Sequence, residues 1–191
     1  MGEIYLSRTD DELLRLIGNS DQAAFQVIFN RYYPNLCRFI SIYIKDYNRA
    51  EELVADLFIR LWDRRTELRI QLLRQYLYVA ARHIALNELQ KAKMPFNYGV
   101  DEQLMHTITD LHPSPHDLMA SRESYGEIFS LIDRLPLRQR EVLLMSRIEQ
   151  FDKKQISELL DISVRTVETL LYQAIKSFRV LFTNGDQRSK I

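Results

Sequence analysis

Three sets of side chains at helical spacing carry the chemistry open to this sequence. Arg165, Thr166, Glu168, Thr169, Tyr172 and Lys176 fall off the apolar stripe Val167, Leu171, Ala174 and Ile175, with Lys153 and Lys154 a short way upstream. A helix with that stripe turned inward would present forked donors, a carboxylate acceptor and hydroxyls together. Such groups suit base edges and phosphates. In the second set, Arg74, Tyr78, Arg82, His83 and Asn87 interleave rings with cations and an amide. Rings stack on unstacked bases while cations meet phosphates, although tyrosines at this spacing also suit a core. The third set, Glu51, Glu52, Asp56, Phe58, Arg60 and Trp62, lies on one helix whose Phe58 and Trp62 belong to a broad apolar face, while its charges fit either a partner surface or a solvated face. The sequence offers no nucleophile beside a base, no glycine-rich phosphate loop and no metal-ligand cluster. Neither catalysis, a cofactor nor a small-molecule substrate is expected.

The elements that must hold these residues are helices. Asp152 with Gln155 forms a capping-box start, Ile156, Leu159 and Leu160 make a buried face, Asp161 takes the corner and Ser163 caps the next helix. The spacing predicts a helix-turn-helix, with an ordinary helical hairpin as the alternative. Upstream, Thr9 to Glu12 predicts a capping box for a helix ending at Gly18, and Asn19 or Ser20 should cap the next. Phe25, Ile28, Phe29, Tyr32 and Tyr33 continue at helical spacing, and Pro34 should begin a new helix carrying Leu36, Phe39, Ile40, Tyr43 and Ile44. Asn48 with Glu51 should open a helix over 49–65, and another should run from about 71 to 91. Residues 94–116 hold Pro95, Gly99, Pro113, Pro115 and three acids without Lys or Arg, which predicts a flexible acidic linker. Its His106, His112 and His116 read as loop histidines. A helix over 117–133, another starting at Pro136 and a polar tail from Thr183 complete the chain.

Composition agrees with such a fold. In 191 residues there are five Gly and five Pro, and 46% hydrophobic with 27% charged residues is ordinary for a folded protein. Twenty-six basic residues balance twenty-six acidic ones, an odd balance for a chain that would grip DNA alone. The charge is nonetheless segregated, since residues 46–63 hold five acids against two bases and residues 64–93 seven bases against two acids. Two partner surfaces or two solvated faces would both produce this. Cys37 stands alone among apolar neighbours, so no internal disulfide can form and a reducing, cytoplasmic setting is expected. No stretch has the length of a membrane span and no secretory leader pattern opens the chain.

Across residues 20–93 and 117–182 the sequence resembles the extracytoplasmic-function sigma factors of bacterial RNA polymerase. Ala50 to Trp62 is similar to that family's polymerase-binding helix, with Glu52, Ala55 and Asp56 where Asp, Gln and Glu are usual. Tyr76 to Gln90 is similar to the promoter-melting and minus-ten-reading helix, with His83 in place of Asn and Gln90 in place of Arg. Leu135-Pro136 through Val142 and the helix-turn-helix are similar to the minus-thirty-five-binding domain, with Leu170 where a polar or basic residue is common. Tyr32-Tyr33-Pro34 and Thr166-Val167-Glu168 look most like the branch common in Bacteroides-type bacteria.

The resemblance implies an all-α protein of two small helical domains. Residues 1–93 would bind core polymerase through Glu51, Glu52, Asp56, Phe58, Arg60 and Trp62, and would read and melt the minus-ten element through Arg74, Tyr78, Arg82, His83 and Asn87. Residues 94–116 would link them to residues 117–191, whose Lys153, Lys154, Arg165, Thr166, Glu168, Thr169, Tyr172 and Lys176 would meet the minus-thirty-five element. Its implied partners are core polymerase, promoter DNA both as duplex and as melted non-template strand, and an anti-sigma factor, often membrane-anchored in that branch. A regulator binding duplex DNA without polymerase and a pure interaction protein are the competing readings.

Overall fold

A computed structural model describes residues 3–93 and 131–186, and every regular element among them is helical. Short α1 (Glu3–Leu6) precedes α2 (Asp10–Gly18), which begins at the expected box. Thr9 caps Glu12, and the Glu12 side chain accepts from the Thr9 backbone at 2.9 Å. Asp21, not Asn19 or Ser20, caps α3 (Gln22–Ser41), accepting from Ala23 and Ala24, because Ser20 is spent on a left-handed turn at φ 65°. Pro34 does not begin a new helix but sits inside α3. The carbonyl that loses its partner belongs to Asn30, which is exposed to water, while buried Tyr32, Tyr33, Leu36 and Cys37 hold the helix on both sides of the proline.

Likewise α4 (Tyr47–Asp63) opens two residues before the expected box. The Asp46 carboxylate accepts from Asn48 and Arg49, the better match to the positive end of a helix. Phe25, Phe29 and Tyr33 of α3 meet Phe58 and Trp62 of α4, with ring centroids 5.0 Å apart for both Phe25–Trp62 and Phe29–Phe58. Helix α5 (Leu73–Lys93) then lies against α3 and α4.

The second unit comprises α6 (Leu137–Arg147), α7 (Lys153–Leu160) and α8 (Val164–Asp186). The capping box of Asp152 and Gln155 forms at 2.8 and 3.0 Å, and Asp161 takes the left-handed corner at φ 53°, ψ 53°. Ser163 caps α8 through the Thr166 amide at 3.0 Å. Helix α8 continues to Asp186, past the expected start of the tail at Thr183. The linker with its three histidines, and all of the helix expected at 117–133 but its last turn, lie outside the described residues.

The units are not separate bodies. One buried apolar core runs from Leu13, Phe39, Phe58 and Tyr78 to Val142, Leu144, Phe151, Ile156 and Val167. A small satellite of Ile132, Leu135, Leu143 and Ala174 closes the far side of α8. Cys37 is fully buried and burial pushes its thiol up to about 12, so it serves the core and not redox chemistry. At the corner, Asp161→Val should lower unfolding stability by about 1–2 kcal/mol, whereas Asp161→Gly should be tolerated; urea titration of both variants checks this.

Candidate nucleic-acid interface

On α8 the buried residues Val167, Leu171 and Ala174 hold the helix against the core, with half-buried Ile175 beside them. Arg165, Thr166, Glu168, Thr169, Tyr172 and Lys176 are therefore all exposed. Tyr172 is 69% accessible, a large ring held in water. Thr169 donates to the Arg165 carbonyl at 2.9 Å, and the Thr166 hydroxyl lies 2.8 Å from that of Ser163. Glu168 receives Lys153 from α7 at 2.8 Å, a bond that holds its carboxyl below the usual range and spans the two helices of the motif. Lys154 is exposed on the same α7 turn. Leu170 is half-buried and packs on the core, which is why a polar residue is absent there.

Helix α4 exposes a single stripe of Glu52, Asp56, Ile59, Arg60 and Asp63, at the three- and four-residue steps that keep one helix face together. Glu51 is half-buried beside it, and Glu52 is tied to Arg49 at 2.8 Å. Phe58 is buried at the centre of the aromatic cluster, and Trp62 packs on Phe25 with the Arg65 guanidinium 4.5 Å from its ring. Both rings shape the stripe from behind and do not project from it. Sequence reasoning passed over Ile59 and Asp63, although their place in the stripe could be counted.

Helix α5 divides its polar residues between two faces. Tyr76, His83, Asn87 and Gln90 are exposed, and Tyr76 and Leu72 border an open groove with Arg64, Arg69, Ile70 and Gln75. Arg74, Tyr78 and Arg82, one turn apart from each other, face the second unit instead. Tyr78 is fully buried, its ring 5.1 Å from Phe39 on one side and from Phe151 on the other, and its hydroxyl donates to Glu149. The Arg74 guanidinium lies 4.1 Å from the Phe151 ring centre. Arg82 donates to Glu141 at 2.9 Å, and the Tyr43 hydroxyl donates to the same oxygen. Arg138 reaches the other oxygen of Glu141 at 3.4 Å. Arg140 donates across the seam to the Ile42 carbonyl at 3.1 Å. In this arrangement Tyr78 cannot meet a base, whereas His83 and Asn87 can.

Sequence reasoning missed Glu141 and Glu149 altogether. Each is an acid placed against an apolar run, Val142 to Met145 and Phe151, and that misplacement was the available signal. Both are buried. Burial raises the Glu149 carboxyl above its ordinary 4.5, against the opposing pull of the Tyr78 hydroxyl, Arg38 and Arg74. Among the described residues no group of three or more metal-ligating side chains occurs, and no helix is long and apolar enough to cross a membrane.

Residues 28–94 match the family model of sigma-70 region 2, and residues 125–178 match that of sigma-70 region 4. The chain belongs to the extracytoplasmic-function sigma factor family. It directs RNA polymerase to promoters. Similar curated sigma factors include SigX of Bacillus subtilis, 23% identical over 167 residues and 83% of each chain. The sigma-E factor of Haemophilus influenzae is 24% identical over 173 residues, 87% of this chain and 91% of that one. Two solved structures share the fold. One is CnrH in complex with the cytosolic domain of CnrY, with a TM-score of 0.63, 17% identity and coverage of 92% of this chain and 97% of that one. The other is RpoE in complex with the anti-sigma factor NepR from Bartonella quintana, with a TM-score of 0.59, 14% identity and coverage of 83% and 96%.

In this sigma factor the raised carboxyl of Glu149 means that the folded chain holds a proton there more readily than the unfolded one. The stability it contributes is therefore present at low pH and lost as pH rises from 4.5 through its folded value. Urea unfolding of wild type and Glu149→Gln from about pH 8 to about pH 5 should show wild type gaining on the variant as the solution is acidified.

Proposed function

We propose that this sigma factor divides its work as the two units suggest. Residues 1–93 dock on core polymerase and read and open the minus-ten element, residues 94–116 connect, and residues 117–191 read the minus-thirty-five element. The observation that carries this reading is the outward face of α8, where Arg165, Thr166, Glu168, Thr169 and Tyr172 stand exposed over a buried stripe. In a helix-turn-helix the start of the second helix enters the major groove. Arg165 is suited to two hydrogen bonds with a guanine, Glu168 to a cytosine amino group once Lys153 turns to phosphate, and Lys154 and Lys176 to phosphates.

Docking falls to the stripe of Glu52, Asp56 and Arg60 on α4, with half-buried Glu51 at its edge and Phe58 and Trp62 as its packed base. On α5, His83 and Asn87 are the residues open to a melted strand, and Tyr76 at the groove is the ring positioned to stack. Arg74, Tyr78 and Arg82 join them once the units part. The chain has no catalytic activity of its own in this reading, takes no cofactor and works in the cytoplasm. Its regulator is an anti-sigma factor, as for the RpoE relative, and the Tyr32-Tyr33-Pro34 step supports membership of the Bacteroides-type branch. The solvent-facing α4 stripe favours this over a regulator that binds duplex DNA without polymerase.

Holoenzyme carrying Arg165→Ala should lose discrimination worth about 1–3 kcal/mol at one or two upstream positions when promoter preference is profiled over a randomised library. A uniform loss with a shallower salt dependence would place Arg165 on phosphate instead. The paired reversal Glu52→Lys and Asp56→Lys should weaken core binding roughly tenfold, chiefly by slowing association, without changing helix content. Unaltered binding in a titration against core polymerase would rule out this stripe.

A further inference from the structure

The exposed face of α8 carries two threonines whose hydroxyls are already engaged within the chain. The Thr166 hydroxyl lies 2.8 Å from that of Ser163, whose oxygen also receives the Thr166 amide at 3.0 Å, so Thr166 serves the helix cap. Thr169 donates to the Arg165 carbonyl at 2.9 Å and has no such duty. It stands at the middle of the outward face, one turn beyond Arg165 and one turn before Tyr172 and Gln173, all of them exposed. At about 100° per residue, Thr169 lies roughly 140–160° around the axis from each of the buried Val167, Leu171 and Ala174. A threonine in a helix is stiff at χ1, and its bond to the carbonyl four residues back fixes which of its two branches turns to the backbone. The oxygen is that branch. The methyl is the branch left on the outside.

We propose that Thr169 is a specificity-determining residue that selects a thymine in the upstream promoter element by contact between two methyl groups, its hydroxyl taking no part. The proposal rests on the reading of α8 as the helix that enters the major groove. There thymine alone among the four bases presents a methyl. To reach a base edge, the hydroxyl would have to leave the Arg165 carbonyl and exchange one hydrogen bond for another with little net gain. Contact between methyls removes apolar surface from water without that exchange. Arg165 and Thr169 are separated by about 6 Å along the helix axis. That is about two base-pair steps of about 3.4 Å each, so the selected thymine lies within about two base pairs of the position that Arg165 selects.

The test uses holoenzyme and the preferred upstream element found by profiling a randomised promoter library. That element should contain a thymine within about two base pairs of the position whose choice Arg165→Ala relaxes. Replacing this thymine by deoxyuridine removes the methyl and leaves every hydrogen-bonding edge in place. Wild-type holoenzyme should then bind the duplex about fourfold more weakly, the effect of leaving one methyl-sized group unburied. Thr169→Val, which keeps a methyl and loses the hydroxyl, should retain the preference for thymine. Thr169→Ser, which keeps the hydroxyl and loses the methyl, should bind both duplexes equally. Thr169 is exposed, so neither variant disturbs the core, and circular dichroism should show unchanged helix content. Three results would each overturn the proposal: a thymine preference that persists in Thr169→Ser, one that is lost in Thr169→Val, or indifference of wild type to deoxyuridine placed singly at every thymine of the element. Arg165→Ala then separates the causes. Relaxed choice in that variant leaves α8 in the groove and removes only the methyl contact, whereas unaltered choice places the fault in the reading of α8 itself.

Discussion

At 3.6 residues per turn, no straight helix can turn Arg74, Tyr78 and Arg82 toward the same surface as His83 and Asn87. Positions 78 and 83 differ by about 140° around the axis. Helix α5 must also bury Leu73, Leu77, Ala81 and Ala85, which leaves two polar strips on either side of that apolar line. One strip faces water and the other must find partners or be desolvated at a loss. The C-terminal unit supplies those partners. Its approach is set by the need of two arginines and two phenols for acceptors and a ring, and the continuous core around Phe39, Tyr78 and Phe151 follows from the contact.

The energetics of that contact are asymmetric. Glu141 is almost fully buried and serves Arg82, Tyr43 and Arg138 at once, so its loss alone would strand an arginine whose side chain is only 12% exposed. Breaking a buried pair from one side typically costs about 3–5 kcal/mol, although forming the pair from two hydrated ions gains far less. Such a contact therefore selects one arrangement sharply without adding much net stability.

The helix-turn-helix was legible residue by residue, because its signals are local. The Asp152–Gln155 box, the Asp161 corner and the Ser163 cap each depend on side chains within a few positions, and all three appear in the structure. The stripe of Val167, Leu171 and Ala174 was equally readable from its spacing. Starts of other helices were misplaced where two candidates competed: Asp21 over Ser20 and Asp46 over Asn48, in both cases the carboxylate nearest the helix end. Pro34 misled because its steric penalty is local while the packing that overrides it is tertiary. The seam was illegible for the same reason. Tyr43 and Glu141 are 98 positions apart, and nothing in either local sequence names the other. Tyr78 and Arg82 could be selected as polar residues of α5, but which face they occupied depended on a unit more than fifty residues away.

The balanced charge of the chain also acquires a physical account. Several of its cations are matched internally: Arg31 by Asp10, Arg49 by Glu52 and Glu88, Arg82 by Glu141, Arg140 by Asp133 and Lys153 by Glu168. A phosphate must displace an acid before it can use Arg82 or Lys153, so the isolated chain presents a weak electrostatic footprint to DNA. For a protein that directs polymerase, that weakness is useful. Strong non-specific affinity would spread a free factor over the genome, whereas a weak footprint leaves discrimination to specific contacts. Arg165, Lys154 and Lys176 are exposed and take part in no ion pair among the described residues, so the helix-turn-helix keeps cations that no acid has to release.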